Sequence, residues 1–410
     1  MTSELHDARR RVDDGTLIQP VPNPERRTRP ANRRQQIAAA AAELFGTRGF
    51  QNVGMSDIAD AVQVRPSALY RHFPSKESLL EEIVGQSVTE LAAVLAAADL
   101  TTAAGLRELA EYAVASRPVA ALIQRDLPHL AEASRRQVRF RLREVGALVA
   151  ERISAARPAL GADAADLLAQ AVLAVLQSPA FYPLPRPGEV CGELAVLVGR
   201  VVSADLPPEF GRVRVQRQAA GLLPVSRREA LLARAIALFA ERTYAGVRVE
   251  DVAASLDIAG PSVYNHFRSK SDILVTALER GAAYLAVQAA DTLATATSPA
   301  AALRAFVSGY CGFAMEHPAL IDLMMSETAS LPEPARGAVV EAERQYVAEL
   351  VHLLRQVHQD LTQAAARVQV QAALMIANDV ARTSRFRALA GLAEAVAEAC
   401  AATLALPARS

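Results

Sequence analysis

The stretch LYRHFPSKESLL begins at Leu69, and VYNHFRSKSDIL begins at Val263, 194 positions later, with six of the twelve positions identical. A chain that writes one phrase twice at this distance is constrained to fold as two copies of one module. The chain holds 44 Lys and Arg residues, of which only two are lysine, Lys76 and Lys270, at the matching place in each phrase. Lysine is a compact, hydrated point charge and arginine a planar fork. A site that keeps lysine twice in a chain that otherwise uses arginine needs the point charge.

The repetition extends upstream. Ile37, Ala41, Leu44 and Phe45 fall on one helical face that ends at TRGF, where Gly49 can close the helix. A short helix centred on SDIADAV follows, then a tight turn at Gln63 and Val64, then RPSALYRHF, then a helix from Lys76. The second copy runs REALLARAIALFAERTY, VEDVAASL, AGPSVYNHF and a helix from Lys270. Phe45 aligns with Phe239, Ile58 with Val252, Val64 with Ile258 and Leu69 with Val263, so one small core is built twice. Two short helices joined by a tight turn, the second carrying the polar variation, make a helix-turn-helix pattern. Downstream, SRPVAALIQRDLPHL and EHPALIDLMMSETASL match more loosely, at a spacing of 200.

An all-α class follows from the apolar periodicity and from a composition with 5% aromatic residues and no Trp. The expected divisions are a disordered basic arm over 1–32, helix-turn-helix domains over 33–79 and 227–274, helical regulatory domains over 80–205 and 275–410, and a Pro/Gly-rich linker over 206–226. In the arm, ERRTRPANRR (25–34) carries five arginines. It reads either as a solvated tail or as an arm laid along phosphates or in a minor groove. Formal net charge is zero, so affinity for nucleic acid has to come from local placement: residues 33–79 carry six basic and four acidic residues, and 227–274 carry seven and six. Cys191, Cys311 and Cys400 stand far apart in sequence without metal or pairing spacing, which points to a reduced, cytoplasmic setting. No apolar run approaches the roughly 20 residues that span a bilayer, and no membrane role is expected.

Taken together, LFGTRGF, DIADAV and ALYRHFPSKESLL, with LFAERTY, DVAASL and SVYNHFRSKSDIL, resemble a tandem, fused pair of TetR-type transcriptional regulators. The duplicated form is similar to actinobacterial regulators of mammalian-cell-entry lipid-uptake operons, an impression that NDVARTSRFRALAGL strengthens. The resemblance implies a helix-turn-helix domain and a helical ligand-binding and dimerisation domain in each half, the two halves forming an intrachain pseudo-dimer. It also implies that AADLLAQAVLAVLQ (164–177) faces VQVQAALMIANDVA (368–381) in a four-helix interface. Departures from the family pattern occur at Gln63 and Asp257, where Gly is usual in the turn, and at Thr243, which replaces a Gly. Gly54 and Arg248 stand where Ser or Thr would cap the second helix. Asp tolerates a left-handed backbone better than Gln, so the first turn is expected to differ slightly. Arg is a poor cap, so either the second module is the less stable or Arg248 is recruited to a phosphate.

The DNA-reading side chains are expected to be Arg65, Ser67 and Arg71 in the first copy, with Pro66 and Ala68 beside them. In the second they are Pro261, Ser262 and Asn265, beside Ala259 and Gly260. Arg suits guanine and Asn suits adenine. The shared Tyr70 and Tyr264, His72 and His266, and Lys76 and Lys270 would grip phosphates, as the resemblance implies. Ser75 and Ser269 are placed to cap the fourth helix, whose positive end is a natural phosphate site. Phe73 and Phe267 read as core. For a small hydrophobic or lipid-like effector the candidates are Phe306, Tyr310, Met324 and Met325, with Tyr112 in the first half; plain core is the competing reading. Asn378, Asp379 and Arg382 read either as a buried network or as a ligand anchor. No phosphate loop, dinucleotide glycine pattern, metal motif or nucleophile elbow occurs, so neither an enzyme nor a cofactor or metal is expected.

The expected function is therefore a ligand-responsive regulator, a repressor by resemblance. One chain, acting as a monomeric pseudo-dimer, would read double-stranded DNA with two unlike half-sites about 34–36 Å apart. The alternative is a regulator whose second helix-turn-helix serves a protein contact while chains pair on a palindrome.

Overall fold

The computed structural model describes residues 30–127, 130–182, 187–214 and 222–407. The expected arm lies outside these, except that the first helix already starts at Pro30. Among the described residues the chain is helical, with a single isolated β-bridge between Arg214 and Leu389.

The first half runs α1 (Pro30–Arg48), α2 (Met55–Ala61), α3 (Pro66–Leu69), α4 (Lys76–Ala97), α5 (Ala103–Ala115), α6 (Arg117–Asp126), α7 (Glu132–Ala156), α8 (Ala162–Gln177) and α9 (Pro187–Val202). The second repeats this order: α10 (Arg227–Arg242), α11 (Val249–Ala254), a 3-10 turn over Gly260–Asn265, α12 (Lys270–Thr295), α13 (Pro299–Glu316), α14 (Pro318–Ser326), α15 (Ala335–Val357), α16 (Gln363–Arg382) and α17 (Leu392–Thr403). Each first helix buries one stripe, Ile37, Ala41 and Phe45 in α1 and Leu231, Ala235 and Phe239 in α10.

The two halves meet through α8 and α16, which pack on each other and on α9 and α17. Leu168, Val172, Ile376 and Val380 are fully buried there, so the helices too apolar to face water face one another, as expected. Ala162–Phe181 turns out to be long and apolar enough to cross a membrane by length and composition, contrary to the sequence reading, but it is 72% buried inside this fold. Cys311 and Cys400, far apart in sequence, also meet: their Sγ atoms lie 3.9 Å apart in the core, as free thiols.

The apolar core is not shared equally. Phe45, Ile58, Leu69 and Phe73 of the first helix-turn-helix are continuous with the large core of both regulatory halves. Phe239, Val252, Val263 and Phe267 instead belong to a separate cluster, closed by Leu323 and Leu331 and by Val339 at the start of α15.

Candidate nucleic-acid interface and adjoining cavity

In both heads the turn before the reading segment is the same. Gln63 (φ 55°) and Asp257 (φ 54°) occupy the left-handed region. The next amide returns to the second helix, Val64 N to Ala59 O at 2.9 Å and Ile258 N to Ala253 O at 3.1 Å. The expected difference between the two turns is absent, because one backbone hydrogen bond dictates the geometry of both.

The reading segments then anchor on Leu69 and Phe73, or Val263 and Phe267, all buried. Arg65, Ser67, Tyr70 and Arg71 are exposed in the first head, and Pro261, Tyr264 and Asn265 in the second, with Ser262 half-buried. Tyr70 and Tyr264 are 52% and 53% exposed, too open for core residues. His72 and His266 are half-buried beside them.

The two lysines are placed differently from the expectation. Lys76 Nζ donates to the Phe50 carbonyl at 2.8 Å and sits 4.3 Å above the Phe50 ring. Lys270 Nζ donates to the Tyr244 and Val247 carbonyls at 2.8 and 3.0 Å and sits 4.2 Å above the Tyr244 ring. Each ammonium thus staples the corner between the first and second helices to the start of the fourth. Three donors converging from one small head suit that slot, where the fork of arginine would not. Burial pushes the Lys270 amine below its usual value. A phosphate is not needed to explain why lysine occurs twice.

The caps hold more evenly than their sequences suggest. Ser75 Oγ and Ser269 Oγ each accept from the amide three residues on, at 3.1 Å, and so start α4 and α12. At α2 and α11 the missing Ser or Thr is offset from the other side. Asp57 accepts from Gly54 N, and Asp251 from Arg248 N, both at 2.7 Å. A carboxylate there also complements the helix dipole, so Arg248 does not leave α11 uncapped.

Each head also has a polar contact to the regulatory helices behind it. Arg125 in α6 donates to the Phe45 carbonyl at 2.9 Å, closing α1. Glu327, following α14, accepts from Tyr244 N at 3.2 Å, just past α10. Between these two helices lies a network across the junction. Arg382 in α16 donates to Asp322 of α14 at 2.6 Å and to the Gln124 carbonyl of α6 at 3.0 Å. Asp379 accepts from Gln124 and from Gln170 of α8. Asp379 and Arg382 are therefore a satisfied network, and Asn378 alone of that trio faces a cavity.

That cavity, about 630 Å³, belongs to the second half and opens among α12, α14, α15 and α16, with Ser178 and Phe181 of the first half on its wall. Tyr310, Met324 and Met325 line it as expected. Phe306 does not: it is fully buried one layer back, its ring 5.7 Å from that of Tyr346, which does line the cavity. Tyr112 lies in the first half beside a void of only about 40 Å³ and donates to the Ser87 carbonyl at 3.0 Å. The cause is visible one helix away. Ala282 and Ala289 line the cavity, whereas the positions 194 residues earlier hold Val88 and Leu95, both buried. Larger side chains thus stand in the first half where alanines line the second-half cavity, although Val88 also borders a separate groove of about 900 Å³ among α1, α4 and α7. Sequence reading missed this because it searched for aromatic and sulfur-bearing residues rather than for missing bulk.

Two heads with this geometry define a helix-turn-helix protein of the DNA-binding kind. Residues 37–83 and again 231–277 match the family described as "Bacterial regulatory proteins, tetR family", and residues 296–382 match a "Tetracyclin repressor-like, C-terminal domain". Two tetR-family domains and one tetracyclin repressor-like C-terminal domain are thus matched within a single chain, the make-up of a tandem TetR-type regulator. The chain is 38% identical over 61 residues, 15% of this chain and 30% of the relative, to the HTH-type transcriptional repressor KstR2 of Mycolicibacterium smegmatis. It is 34% identical over 107 residues, 24% of this chain and 52% of the relative, to KstR2 of Rhodococcus jostii. Among solved structures, a TetR-family transcriptional regulator from Bordetella parapertussis aligns at 19% identity and TM-score 0.41, over 45% of this chain and 100% of its own. The chain spans about a third to a half of the length of the curated relatives it matches.

Proposed function

We propose that the chain is a ligand-responsive transcriptional repressor in which one chain reads an asymmetric DNA operator with two unlike recognition segments. The observation that carries this reading is the contrast between a shared frame and unshared surfaces. Gln63 and Asp257 hold one turn, and Lys76 and Lys270 hold one corner. Arg65, Ser67 and Arg71 nonetheless stand where Ala259, Pro261 and Asn265 stand in the other head. Arg71 and Arg65 suit guanine edges and Asn265 an adenine edge, each pairing contributing about 1–3 kcal/mol of discrimination. Tyr70, Tyr264, His72 and His266, with the capped starts of α4 and α12, would hold phosphates at any sequence.

The effector reading rests on the second-half cavity, whose apolar wall suits a small hydrophobic or lipid-like molecule. Met324 and Met325 sit on α14, the helix followed by Glu327 and its bond to the second head. An occupant that favoured another setting of α14 would shift the spacing of the two readers. Repression follows the two KstR2 relatives, and a cytoplasmic site of action follows from a DNA partner.

The test is selection of bound duplexes from a random library by the purified chain at fixed salt. Enrichment of a motif with two unlike halves is expected, with Arg71→Ala relaxing one half and Asn265→Ala the other. A palindrome would favour paired chains using one head each, and no enrichment would overturn DNA reading by the free protein.

A further inference from the structure

The cavity of the second half carries an acid without a base. Its lining includes Glu343 and Glu349 and no Lys, Arg or His. Glu343 has no hydrogen-bond or ion-pair partner among the described residues, and it is an exposed residue of the cavity's lining. Glu343 keeps an exposed face, yet desolvation by its neighbours raises its carboxyl above the usual range, against the pull of Arg344 and Arg367. Near it, Tyr310 donates to Asn378 Oδ1 at 2.7 Å, and Asn378 Nδ2 donates at 3.4 Å to the Met325 thioether, a weak acceptor. Burial raises the Tyr310 hydroxyl above its usual value and the Glu343 charge adds to this; both residues line the cavity. The wall is otherwise mostly apolar, with Ala282, Ala286, Ala289 and Ala290 all along α12, and carries the neutral polar groups of Ser178, Thr328, Gln345, Tyr346 and Gln371.

A buried carboxylate ligand would need a cation or several donors to replace its water. This lining supplies no cation, only neutral donors such as Gln345, Gln371 and Thr328, and adds two acids, Glu343 and Glu349, whose charge would repel the ligand. A hydroxyl or a protonated amine meets the opposite conditions, because its proton can go to Glu343 while the apolar body lies along the alanines. We infer that the cavity takes an apolar molecule whose single polar head is a hydrogen-bond donor, an alcohol or an amine, and discriminates against carboxylates and other anions. This rests on the reading of the cavity as the effector site.

The test titrates the full chain with 1-decanol, decylamine and decanoate at pH 7.5, below the concentrations at which they aggregate, by calorimetry. Decanol and decylamine are expected to bind at least ten-fold more tightly than decanoate. Glu343→Gln should keep decanol, weaken decylamine about ten-fold and narrow the gap to decanoate. Ala289→Leu, which restores the bulk that Leu95 has in the first half, should weaken all three. Decanoate binding as tightly as decanol, with Ala289→Leu still weakening both, would overturn the donor-head inference and leave the cavity reading intact. Binding by none of the three, or binding indifferent to Ala289→Leu, would overturn the cavity reading and the inference with it.

Discussion

At the end of the first helix, Gly49 in one half and Thr243 in the other both take a positive φ, 85° and 66°. Glycine does so without strain, whereas a β-branched residue at φ 66° and ψ 153° stands in a region almost reserved for glycine. The second half nevertheless makes the same corner, because Lys270 pulls two carbonyls together across it where Lys76 bonds one. The same contrast runs through the molecule. The first half has glycine at its corner, Val88 and Leu95 where the other has alanines, and a head sharing the main core. The second half has a strained corner, an open cavity and a head with its own core. Duplication kept the frame and let one copy lose bulk and ease, and open space beside a separately packed head is where a responsive element would arise.

The comparison can be broken most strongly at the junction. Arg382→Leu would leave Asp322 without its partner and remove the Arg382 bonds to Gln124, which on α16 keeps only its bond to Asp379. Loss of a partly buried ion pair with its hydrogen bonds should cost up to about 3 kcal/mol. DNA affinity should become insensitive to the cavity's occupant while each head alone still binds its half-site, measured by titrating labelled half-site and full-site duplexes. An unchanged response to the occupant would mean that the network only fills the interface.

Next come the lysines. Lys270→Met and Lys76→Met should each destabilise the head concerned by about 1.5–3 kcal/mol, the range for hydrogen bonds to charged groups, with the larger effect at Lys270. Amide hydrogen exchange should show α10 and α11 opening in the first variant without α1 and α2. If DNA affinity falls at full stability and with unchanged exchange, the ammonium contacts phosphate after all.

Thr243→Gly should stabilise the second head by about 1 kcal/mol, and Gly49→Thr should destabilise the first by at least as much. Urea unfolding followed by exchange at each head would check both signs. The smallest effect concerns the ion pairs joining the first helix to the fourth, which reverse polarity between halves. Arg34 is bonded to Glu82 at 3.1 Å, and Glu229 to Arg280. Hydrogen bonding to the arginine holds Glu82 and Glu229 below the usual carboxylate pKa. Each pair therefore stabilises at neutral pH and loses that contribution as the solution is acidified through and below the ordinary carboxylate range. Being exposed, each contributes about 0.2–1 kcal/mol, so Glu82→Gln and Glu229→Gln should barely move the midpoint of urea unfolding.

The heads were legible in the sequence because helix-turn-helix geometry rests on a few local positions, and the duplication supplied a second measurement of each. The core partners Phe45 and Phe239 and the Ser75 and Ser269 caps came from apolar spacing or capping rules that act over a few residues, whereas the pairing of α8 with α16 came from the family resemblance. The lysines were visible as a pair, but their carbonyl partners were not. Their partners lie 23 and 26 residues back, and no local rule gives the direction of a long flexible side chain. The cavity was illegible for a related reason. Empty volume is a sum over four helices, and Ala282 and Ala289 signal it only when set beside Val88 and Leu95. Phe306 failed as a lining residue because its large apolar side chain packs one layer behind the wall, a distinction that composition does not carry.

The stapled lysines also make the chain unusually easy to interrogate by amine chemistry. Lys76 and Lys270 are its only two side-chain amines, and both are half-buried and hydrogen-bonded. Acylation of either would remove the charge and the donors that close its corner, so a reagent or an acetyltransferase would have two addresses, one per reading head. Slow labelling of the folded chain, each event unlatching a single head, would turn the rarest residue in the sequence into a clock for how often each corner opens.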